Sequence, residues 1–316
     1  MRVLVTGVTG FVGRHLVRTW GEQVPEAEIC GLAQGKGEGN DVPLQNLVCL
    51  DLRNAEAVRE ACQKMAPDWA VHLAAQSFVP GAFANPRETW EINCWGTLHL
   101  LEALRESGFT GRLLFVGSAD QYGKVEEEDL PIREPQPFRP GNPYAASKAA
   151  AELLCYQYSQ SYGLDVILAR PFNHIGPGQS PRFVVSDFCR QVARIELGMQ
   201  EPVLSVGNLE VTRDFLDVRD VVEAYRCLLE RGRTGEAYNV CSGREVRLID
   251  LVKTLVGFSS RRIEIQVDRT RMRSTDTPRV WGSHEKLTAH TGWQPKRDIL
   301  ATLKEVFTYW KEELGR

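Results

Sequence analysis

The stretch TGVTGFVG, residues 6–13, follows the apolar run VLV and opens a segment with helical spacing, FVGRHLVRTWGEQ. Its three glycines form a G-x-x-G-x-x-G pattern between a predicted strand and a predicted helix. Glycines at such a junction permit a tight turn and let backbone N–H groups approach a pyrophosphate at the helix N-terminus. The stretch therefore predicts a dinucleotide-binding loop; the alternative is a glycine-rich turn without a ligand. The residues assigned to this loop are Gly7, Gly10, Phe11, Val12 and Gly13.

Strand and helix patterns alternate from this loop to about residue 173, and the strands are nearly continuous apolar runs. This alternation predicts an α/β fold, a Rossmann-type doubly wound parallel sheet with helices on both faces. Past residue 173 the regular alternation of strand and helix patterns ends. We expect a dinucleotide-binding domain at 1–173, to which 215–240 returns. A smaller, partly interleaved C-terminal substrate-binding lobe is expected from 174–214 and 241–316.

Composition narrows the range of partners. The 316 residues carry a net charge of −3 without a basic tract, so nothing indicates nucleic acid as a partner. The eight cysteines are scattered without a C-x-x-C pair, so we expect no metal site, no disulfide framework and a reducing, cytoplasmic environment. No apolar run has the length of a membrane span and no signal peptide is expected, so no membrane partner is predicted.

The end of the second predicted strand bears on cofactor choice. An NAD site usually carries an acidic residue there to hold the ribose 2′-OH. The segment ICGLAQGKGEG offers Lys36 instead, a cation suited to a 2′-phosphate, which favours NADPH, with NADH as the alternative. Lys36 is equally compatible with a solvated loop charge. Asp51, after the third strand, either meets the adenine or caps the following helix.

The segment NPYAASK places Tyr144 and Lys148 four residues apart near a helix start. That spacing puts both side chains on one helix face. A lysine ammonium beside a phenol favours the phenolate, so we expect a lowered pKa for Tyr144 and proton exchange near neutral pH. The alternative is a surface aromatic–cation pair.

With these motifs the chain resembles the extended short-chain dehydrogenase/reductases, the family of nucleotide-sugar epimerases, dehydratases and reductases. The resemblance covers nearly the whole chain. The stretches RPFNHIGPGQ (170–179), RDFLDVRDV (213–221) and RMRSTD (271–276) look most like the branch acting on GDP-mannose and its keto-sugar products.

The resemblance gives roles to the polar segment GSADQYG, 117–123. Ser118 matches the catalytic hydroxyl that bonds the sugar oxygen, and Tyr122 matches a mainly structural position. Asp120 falls where the dehydratases carry a glutamate that removes a sugar proton, and Ala119 where some carry an aspartate acid. Aspartate is one methylene shorter and proton transfer depends on reach, so dehydration is disfavoured but stays open.

The activity implied by the resemblance is NADPH-dependent reduction of the 4-keto group of a GDP-linked 6-deoxyhexose. Tyr144 would give its proton to the developing alkoxide, and Lys148 would hold the nicotinamide ribose. The alternatives are GDP-mannose 4,6-dehydration, another sugar-nucleotide epimerisation or dehydration, and, ranked below them, a non-catalytic NADP(H)-binding protein.

The GDP-linked sugar carries a second pyrophosphate, for which cations or backbone donors are needed. By family position, Asn173 and Arg213 contact substrate phosphate and Arg273 lies beside it. Arginine grips phosphate with two parallel hydrogen bonds. The alternative for either arginine is a structural ion pair with Asp214 or Asp276.

The resemblance implies further contacts and an assembly. His174 either shapes the nicotinamide pocket or is a satisfied polar residue at a strand end. The helices predicted at 86–107 and 144–162 commonly pair across a homodimer in this family. The remaining positions are cofactor contacts at Leu52, Ala74 and Ala75 and a substrate contact at Gln76.

Overall fold

A computed structural model describes residues 1–35, 46–272 and 277–316 of the chain. The strands are β1 Arg2–Thr6, β2 Glu28–Ala33, β3 Asn46–Cys49, β4 Trp69–His72, β5 Arg112–Val116, β6 Asp165–Pro171, β7 Asn173–Ile175, β8 Val203–Val206, β9 Thr212–Arg213, β10 Phe215–Asp217, β11 Ala237–Val240, β12 Val246–Arg247, β13 Glu264–Val267 and β14 Arg279–Val280. The α-helices are α1 Phe11–Gln23, α2 Ala55–Met65, α3 Val79–Ala84, α4 Pro86–Trp90, α5 Gly96–Glu106, α6 Pro143–Tyr162, α7 Val184–Glu196, α8 Val218–Arg231, α9 Leu248–Val256, α10 Glu285–Thr291 and α11 Ile299–Gly315.

Seven parallel strands form the central sheet in the order β3–β2–β1–β4–β5–β6–β11. Its register places Val3 of β1 between Ile29 of β2 and Trp69 of β4. The direction of winding reverses between β1 and β4. In open sheets of this kind, ligands bind at the carboxyl ends of the strands beside that reversal. The predicted Rossmann-type fold is confirmed.

Helices cover both faces of the sheet because the strands are apolar on both sides. On one face α1 and α8 bury Trp20 and Tyr225 against the sheet. On the other face α2, α5 and α6 bury Leu101 and Cys155. Since strand residues alternate between these two cores, neither face of the sheet meets water.

The region after β6 carries a separate core. Helices α7, α9 and α11 pack around β8 and β13, burying Phe188 and Leu251 among others. The small pairs β7–β10 and β12–β9–β14 lie outside the main sheet. β11 returns to pair with β6, so residues 237–240 extend the dinucleotide-binding sheet. The division into two lobes stays a prediction.

The helix predicted at 86–107 differs from the expectation. It is built from α4, a π-helical turn at Glu91–Trp95, and α5. Pro86 at its start and the Asn85 side chain, which accepts from the Glu88 amide, begin the helix as expected. Within the described ranges, no helix combines the length and apolarity required to cross a bilayer.

Candidate active site

A cavity of about 1230 Å³ opens at the carboxyl ends of β1, β4, β5 and β6. It contains every predicted site residue that the structure describes. The predicted residues at Lys36 and Arg273 lie outside the described part of the chain. Those that line the cavity are Gly7, Gly10, Phe11, Val12, Gly13, Asp51, Leu52, Ala74, Ala75, Gln76, Ser118, Asp120, Tyr144, Lys148, Asn173, His174 and Arg213.

The glycine loop has the shape that a dinucleotide requires. Gly7 has φ +71°, and a Cβ there would lie 2.8 Å from the backbone of Ala74. A Cβ on Gly13 would lie 2.4 Å from the carbonyl oxygen of Val8. Side chains at either position would collide with the backbone and displace the turn before α1, where first-turn amides attract a phosphate. The loop therefore fits the pyrophosphate of a dinucleotide.

At the adenine end the structure separates the two interpretations of Asp51. The side chain of Asn54, not that of Asp51, caps α2 by accepting from the Ala57 amide at 3.1 Å. The helix-cap alternative for Asp51 is therefore wrong. Its carboxylate binds Arg53 at 2.6 Å, and those hydrogen bonds lower the pKa of Asp51. A charged pair thus borders the cavity here.

Helix α6 carries the tyrosine and the lysine into the cavity. Asn142 caps it by accepting from the Ala145 amide at 2.8 Å, and Pro143 occupies its first turn. Lys148 is only 2% exposed, and its Nζ lies 4.5 Å from the centre of the Phe115 ring. Burial lowers the pKa of Lys148 to about 8.

The pKa of Tyr144 is raised, not lowered, and the predicted direction is wrong. Burial is the main cause, and the charge of Asp120 adds to it. A hydrogen bond with Ser118 acts in the opposite direction but does not outweigh them. The spacing that places Lys148 one turn away could not reveal this burial. At neutral pH the phenol therefore carries its proton.

Ser118 sits at the start of a 3₁₀ turn, Ala119–Tyr122, directly after β5. Its Oγ accepts from the Asp120 amide at 3.2 Å, and its own amide donates to Oε1 of Gln121 at 2.6 Å. The side-chain amide of Gln121 makes a further hydrogen bond, in which Nε2 donates to Oε2 of Glu152 at 2.8 Å. The buried Gln121 side chain therefore fixes the backbone of Ser118.

A buried ion pair anchors this turn. Arg170 of β6 binds Oε1 of Glu152 at 2.6 Å, and Glu152 is 3% exposed. Arg170 also donates to the Tyr122 hydroxyl at 2.8 Å, which donates to Asn239 at 2.7 Å. Sequence reasoning missed Gln121, Glu152 and Arg170. The one signal available was that Glu152 lies one helical turn after Lys148. Tyr122 lies within this network, in agreement with its expected structural role.

The π-helical turn supports the loop that carries Gln76. The side chain of Asn93 accepts from the Gln76 amide at 2.7 Å and donates to its carbonyl oxygen at 3.0 Å. It also donates to Ser147 of α6 at 2.9 Å. Asn93 thereby ties the loop after β4 to the catalytic helix.

At the opposite end of the cavity lie the predicted phosphate contacts. Asn173 is exposed at the start of β7. Arg213 donates from Nη1 to the carbonyl oxygens of Thr212 and Thr277, at 2.7 and 2.8 Å. The carboxylate of Asp214 accepts from Ser242 and Gly243 of the neighbouring loop.

Three cations at this end were missed by sequence reasoning, namely Lys124, Arg139 and Arg182. The guanidinium of Arg182 lies 5.6 Å from the centre of the Phe78 ring. Because all three side chains are exposed and border the cavity, they are available to an anionic ligand.

His174 is a hydrogen-bonded polar residue next to a strand end, as one of its two interpretations expected, whereas its place in a nicotinamide pocket stays a prediction. It lines the cavity and stacks on Phe11 with ring centres 6.1 Å apart, while Nδ1 pairs with the carbonyl oxygen of Phe172 at 2.9 Å. Burial lowers its pKa, so the ring is neutral at physiological pH.

A parallel sheet with a glycine loop at β1, a Tyr-x-x-x-Lys pair on α6 and a serine after β5 defines an extended short-chain dehydrogenase/reductase. A sequence model for GDP-mannose 4,6 dehydratase matches residues 4–306. The chain belongs to the GDP-mannose 4,6 dehydratase family, and the resemblance stated from sequence is confirmed.

Individual relatives refine this assignment. GDP-6-deoxy-D-mannose reductase of Pseudomonas aeruginosa is 42% identical over 99% of this chain and 98% of its own length. The human dTDP-D-glucose 4,6-dehydratase is 30% identical, covering 98% of this chain and 90% of its own.

Solved structures agree with these relatives. RMD from Pseudomonas aeruginosa complexed with NADPH superposes with a TM-score of 0.86 at 41% identity, covering 99% of both chains. The UDP-glucose 4-epimerase of Thermus thermophilus, in complex with NAD, gives 0.87 at 32% identity, covering 98% of this chain and 99% of its own. Both nicotinamide cofactors therefore occur among proteins of this architecture.

Proposed function

We propose that the protein reduces the 4-keto group of a GDP-linked 6-deoxy-D-mannose, using NADPH. The observation that carries the proposal is the meeting of Ser118 with a protonated Tyr144 in the cavity. The reductase relative, 42% identical across nearly the full length, supports the same substrate class.

The nicotinamide cofactor, when bound, supplies the hydride. The chain's residues then handle the oxygen and its proton. Tyr144 donates its proton to the alkoxide that forms at sugar carbon 4, and Ser118 hydrogen-bonds the same oxygen. Fixed donors aimed at developing charge lower the barrier because they need no reorganisation. Lys148 is assigned to the nicotinamide ribose.

Asp120 fits a reductase better than a dehydratase. A reduction needs the phenol protonated at the start, and the charge of Asp120 favours that state by raising the pKa of Tyr144. Dehydration would instead ask this short carboxylate to remove a proton from sugar carbon 5. We therefore assign Asp120 an electrostatic role.

We assign the dinucleotide to one end of the cavity and the sugar nucleotide to the other. We assign the glycine loop, Leu52 and the loop at Ala74 and Ala75 to the dinucleotide. Gln76, Asn173 and the cationic end with Arg182 and Arg213 are assigned to the sugar nucleotide, with Arg273 beside them. Guanidinium groups suit a diphosphate because their donors match its oxygens in pairs.

We also propose a homodimer built on the outer faces of α6 and of the segment formed by α4, the π-helical turn and α5. Large apolar side chains are exposed there, with Trp95 at 56%, Leu153 at 61% and Tyr162 at 54%. Clustered exposed apolar residues mark interaction surfaces. In light scattering, Leu153→Asp should give a monomer, whereas Leu300→Asp on distant α11 should remain dimeric. A monomeric unmodified protein would contradict the proposal.

A reducing cytoplasm remains the proposed location. All eight cysteines are free thiols and six of them are buried. Unpaired buried thiols behave as small apolar side chains and are usual in reducing compartments.

The activity is tested by offering GDP-4-keto-6-deoxymannose with NADPH and following the loss of NADPH absorbance. GDP-mannose alone is the control. Consumption with the keto-sugar only is expected. Keto-sugar formed from GDP-mannose without added cofactor would show that Asp120 supports dehydration and would overturn the proposal.

A further inference from the structure

The loop between β7 and α7, residues 176–183, is held by the helix that follows the glycine loop. His15 of α1 pairs through Nε2 with the carbonyl oxygen of Pro177 at 2.9 Å, and Arg14 donates from Nη2 to that of Gly178 at 3.0 Å. A carbonyl oxygen can only accept, so Nε2 of His15 carries the proton of this bond. Two consecutive residues of α1 thus bind two consecutive carbonyl groups of the loop.

This β7–α7 loop forms part of the cavity wall, to which it contributes Gln179, Ser180, Arg182 and Phe183. At its far end, Ser186 of α7 donates to the carbonyl oxygen of Gln179 at 2.6 Å. Backbone outside helices and strands has no ladder of hydrogen bonds, so its polar groups need individual partners. The bonds from α1 therefore fix the part of the loop that leads to Arg182.

We propose that His15, although it lies in the dinucleotide motif, is a positioning residue for the sugar nucleotide. The inference rests on the proposed function, because it takes the cationic end of the cavity as the site of the substrate diphosphate. Through Pro177, His15 holds the loop that carries Arg182. A loop that already has its bound position loses less conformational freedom when the ligand binds, and this raises affinity.

The hydrogen bond of His15 is separate from the surface that faces the cofactor. Phe11 and Val12 line the cavity, whereas His15, one helical turn further on, is not among its described lining residues. The amides that attract a phosphate belong to the first turn of α1. His174 is held independently, since β7 pairs it with Leu216 of β10. Loss of the His15 bond should therefore leave cofactor binding intact.

Two variants isolate this hydrogen bond. His15→Phe keeps an aromatic ring beside Phe11, whose ring centre lies 5.2 Å from that of His15, but it removes the donor. His15→Gln keeps a neutral donor. Burial lowers the pKa of His15, so the native ring is neutral at physiological pH as well.

His15→Phe should raise the Kd for GDP and the KM for GDP-4-keto-6-deoxymannose by roughly 3- to 10-fold, the effect of one hydrogen bond. Because the reacting groups stay in place, kcat and the Kd for NADPH should stay within about twofold. His15→Gln should restore GDP binding. A histidine with a merely structural role would lower the Tm on conversion to phenylalanine without this split between the two ligands.

The matched control is His99→Phe. His99 of α5 is half-buried like His15, and its Nδ1 pairs with the carbonyl oxygen of Leu52 at 2.7 Å. Leu52 lines the end of the cavity assigned to the dinucleotide. The control thus removes the same kind of bond from the other end of the cavity, and it should leave the Kd for GDP unchanged.

The test measures NADPH binding by fluorescence and GDP binding to the NADPH complex by titration calorimetry, in the unmodified protein and the three variants. Three results overturn the inference: an unchanged Kd for GDP in His15→Phe, an equal loss of NADPH binding in that variant, or the same loss of GDP binding in His99→Phe. Failure of the unmodified protein to bind GDP would instead contradict the proposed function itself, so the two failures are distinguishable.

Discussion

The backbone amide of Ser118 donates to Oε1 of Gln121 at 2.6 Å, so the residue that bears the proposed catalytic hydroxyl is held by the side chain three positions later. That side chain is fixed by Glu152, whose charge is balanced by Arg170. The position of Ser118 thus depends on an ion pair that does not line the cavity.

We expect Glu152→Gln to lower the free energy of unfolding by about 3 kcal/mol, because it leaves the buried Arg170 without its charge partner. Since Ser118 loses its support, kcat should fall roughly 10- to 100-fold with little change in KM. Urea unfolding and steady-state kinetics measure both.

The matched control is Asp165→Asn, which breaks the half-exposed pair of Arg112 and Asp165 at the other end of the sheet. It should cost at most about 1 kcal/mol and leave kcat unchanged. Equal kinetic effects from Glu152→Gln and this control would contradict the positioning role.

Tyr144→Phe should reduce kcat by about 10²- to 10⁴-fold, because the proton donor is removed while the cavity keeps its shape. The Kd for NADPH should change little. Tyr158→Phe, on the same helix but outside the cavity, is the control and should retain kcat. Retained turnover in Tyr144→Phe would assign proton donation to another group.

Loss of the Lys148 proton at alkaline pH should have opposite effects on stability and on activity. Burial lowers the pKa of Lys148 from 10.5 to about 8. Between these values Lys148 binds more protons in the unfolded chain than in the folded one, so its own contribution to the free energy of unfolding should rise with pH, by about 3 kcal/mol in total. Over the same window kcat/KM should fall by about tenfold per pH unit, since the ammonium is lost.

Urea unfolding and kcat/KM measured from pH 7 to 10 test this prediction. Lys148→Met should remove the Lys148 contribution, so the free energy of unfolding of the unmodified protein relative to Lys148→Met should rise from pH 7 to 10. Lys148→Arg, which stays charged, should remove the alkaline loss of activity. A flat kcat/KM for the unmodified protein across this range would be inconsistent with a functional ammonium.

Asp120→Asn should separate reduction from dehydration. Because Asp120 acts by raising the pKa of Tyr144, its neutral isostere should retain keto-sugar reduction to within about tenfold. The pKa of Tyr144 should then fall, and an ultraviolet titration of the phenol, compared with Tyr144→Phe, would measure that change. Loss of all turnover in Asp120→Asn would show that the carboxylate transfers protons itself.

The predictable part of the site consists of residues at strand ends. Alternating strands and helices bring the carboxyl ends of parallel strands together, so the glycine loop, Ser118 and the helix with Tyr144 could be placed near one another from sequence. These positions depend on chain order and local spacing alone.

Other features could not be inferred because they depend on three-dimensional register. Glu152 and Arg170 pair only because α6 packs on β6, which no local spacing reveals. The raised pKa of Tyr144 follows from burial, and the spacing to Lys148 suggested the opposite. Asn54, and not Asp51, caps α2 because the helix begins at Ala55.

The π-helical turn at Glu91–Trp95 makes the length of its segment a structural parameter. A π turn holds one residue more than an α turn, and one residue rotates a helix by about 100°. Removing a residue here would straighten the helix and turn the whole of α5 relative to α4. If α4 kept its position, Leu100 and Leu104 on α5 would rotate out of the core. If α5 kept its position, Asn93 would rotate away from the Gln76 loop. The number of residues between Pro86 and Gly96 therefore sets the rotation of α5, which packs in the core, relative to Asn93, which bonds the Gln76 loop.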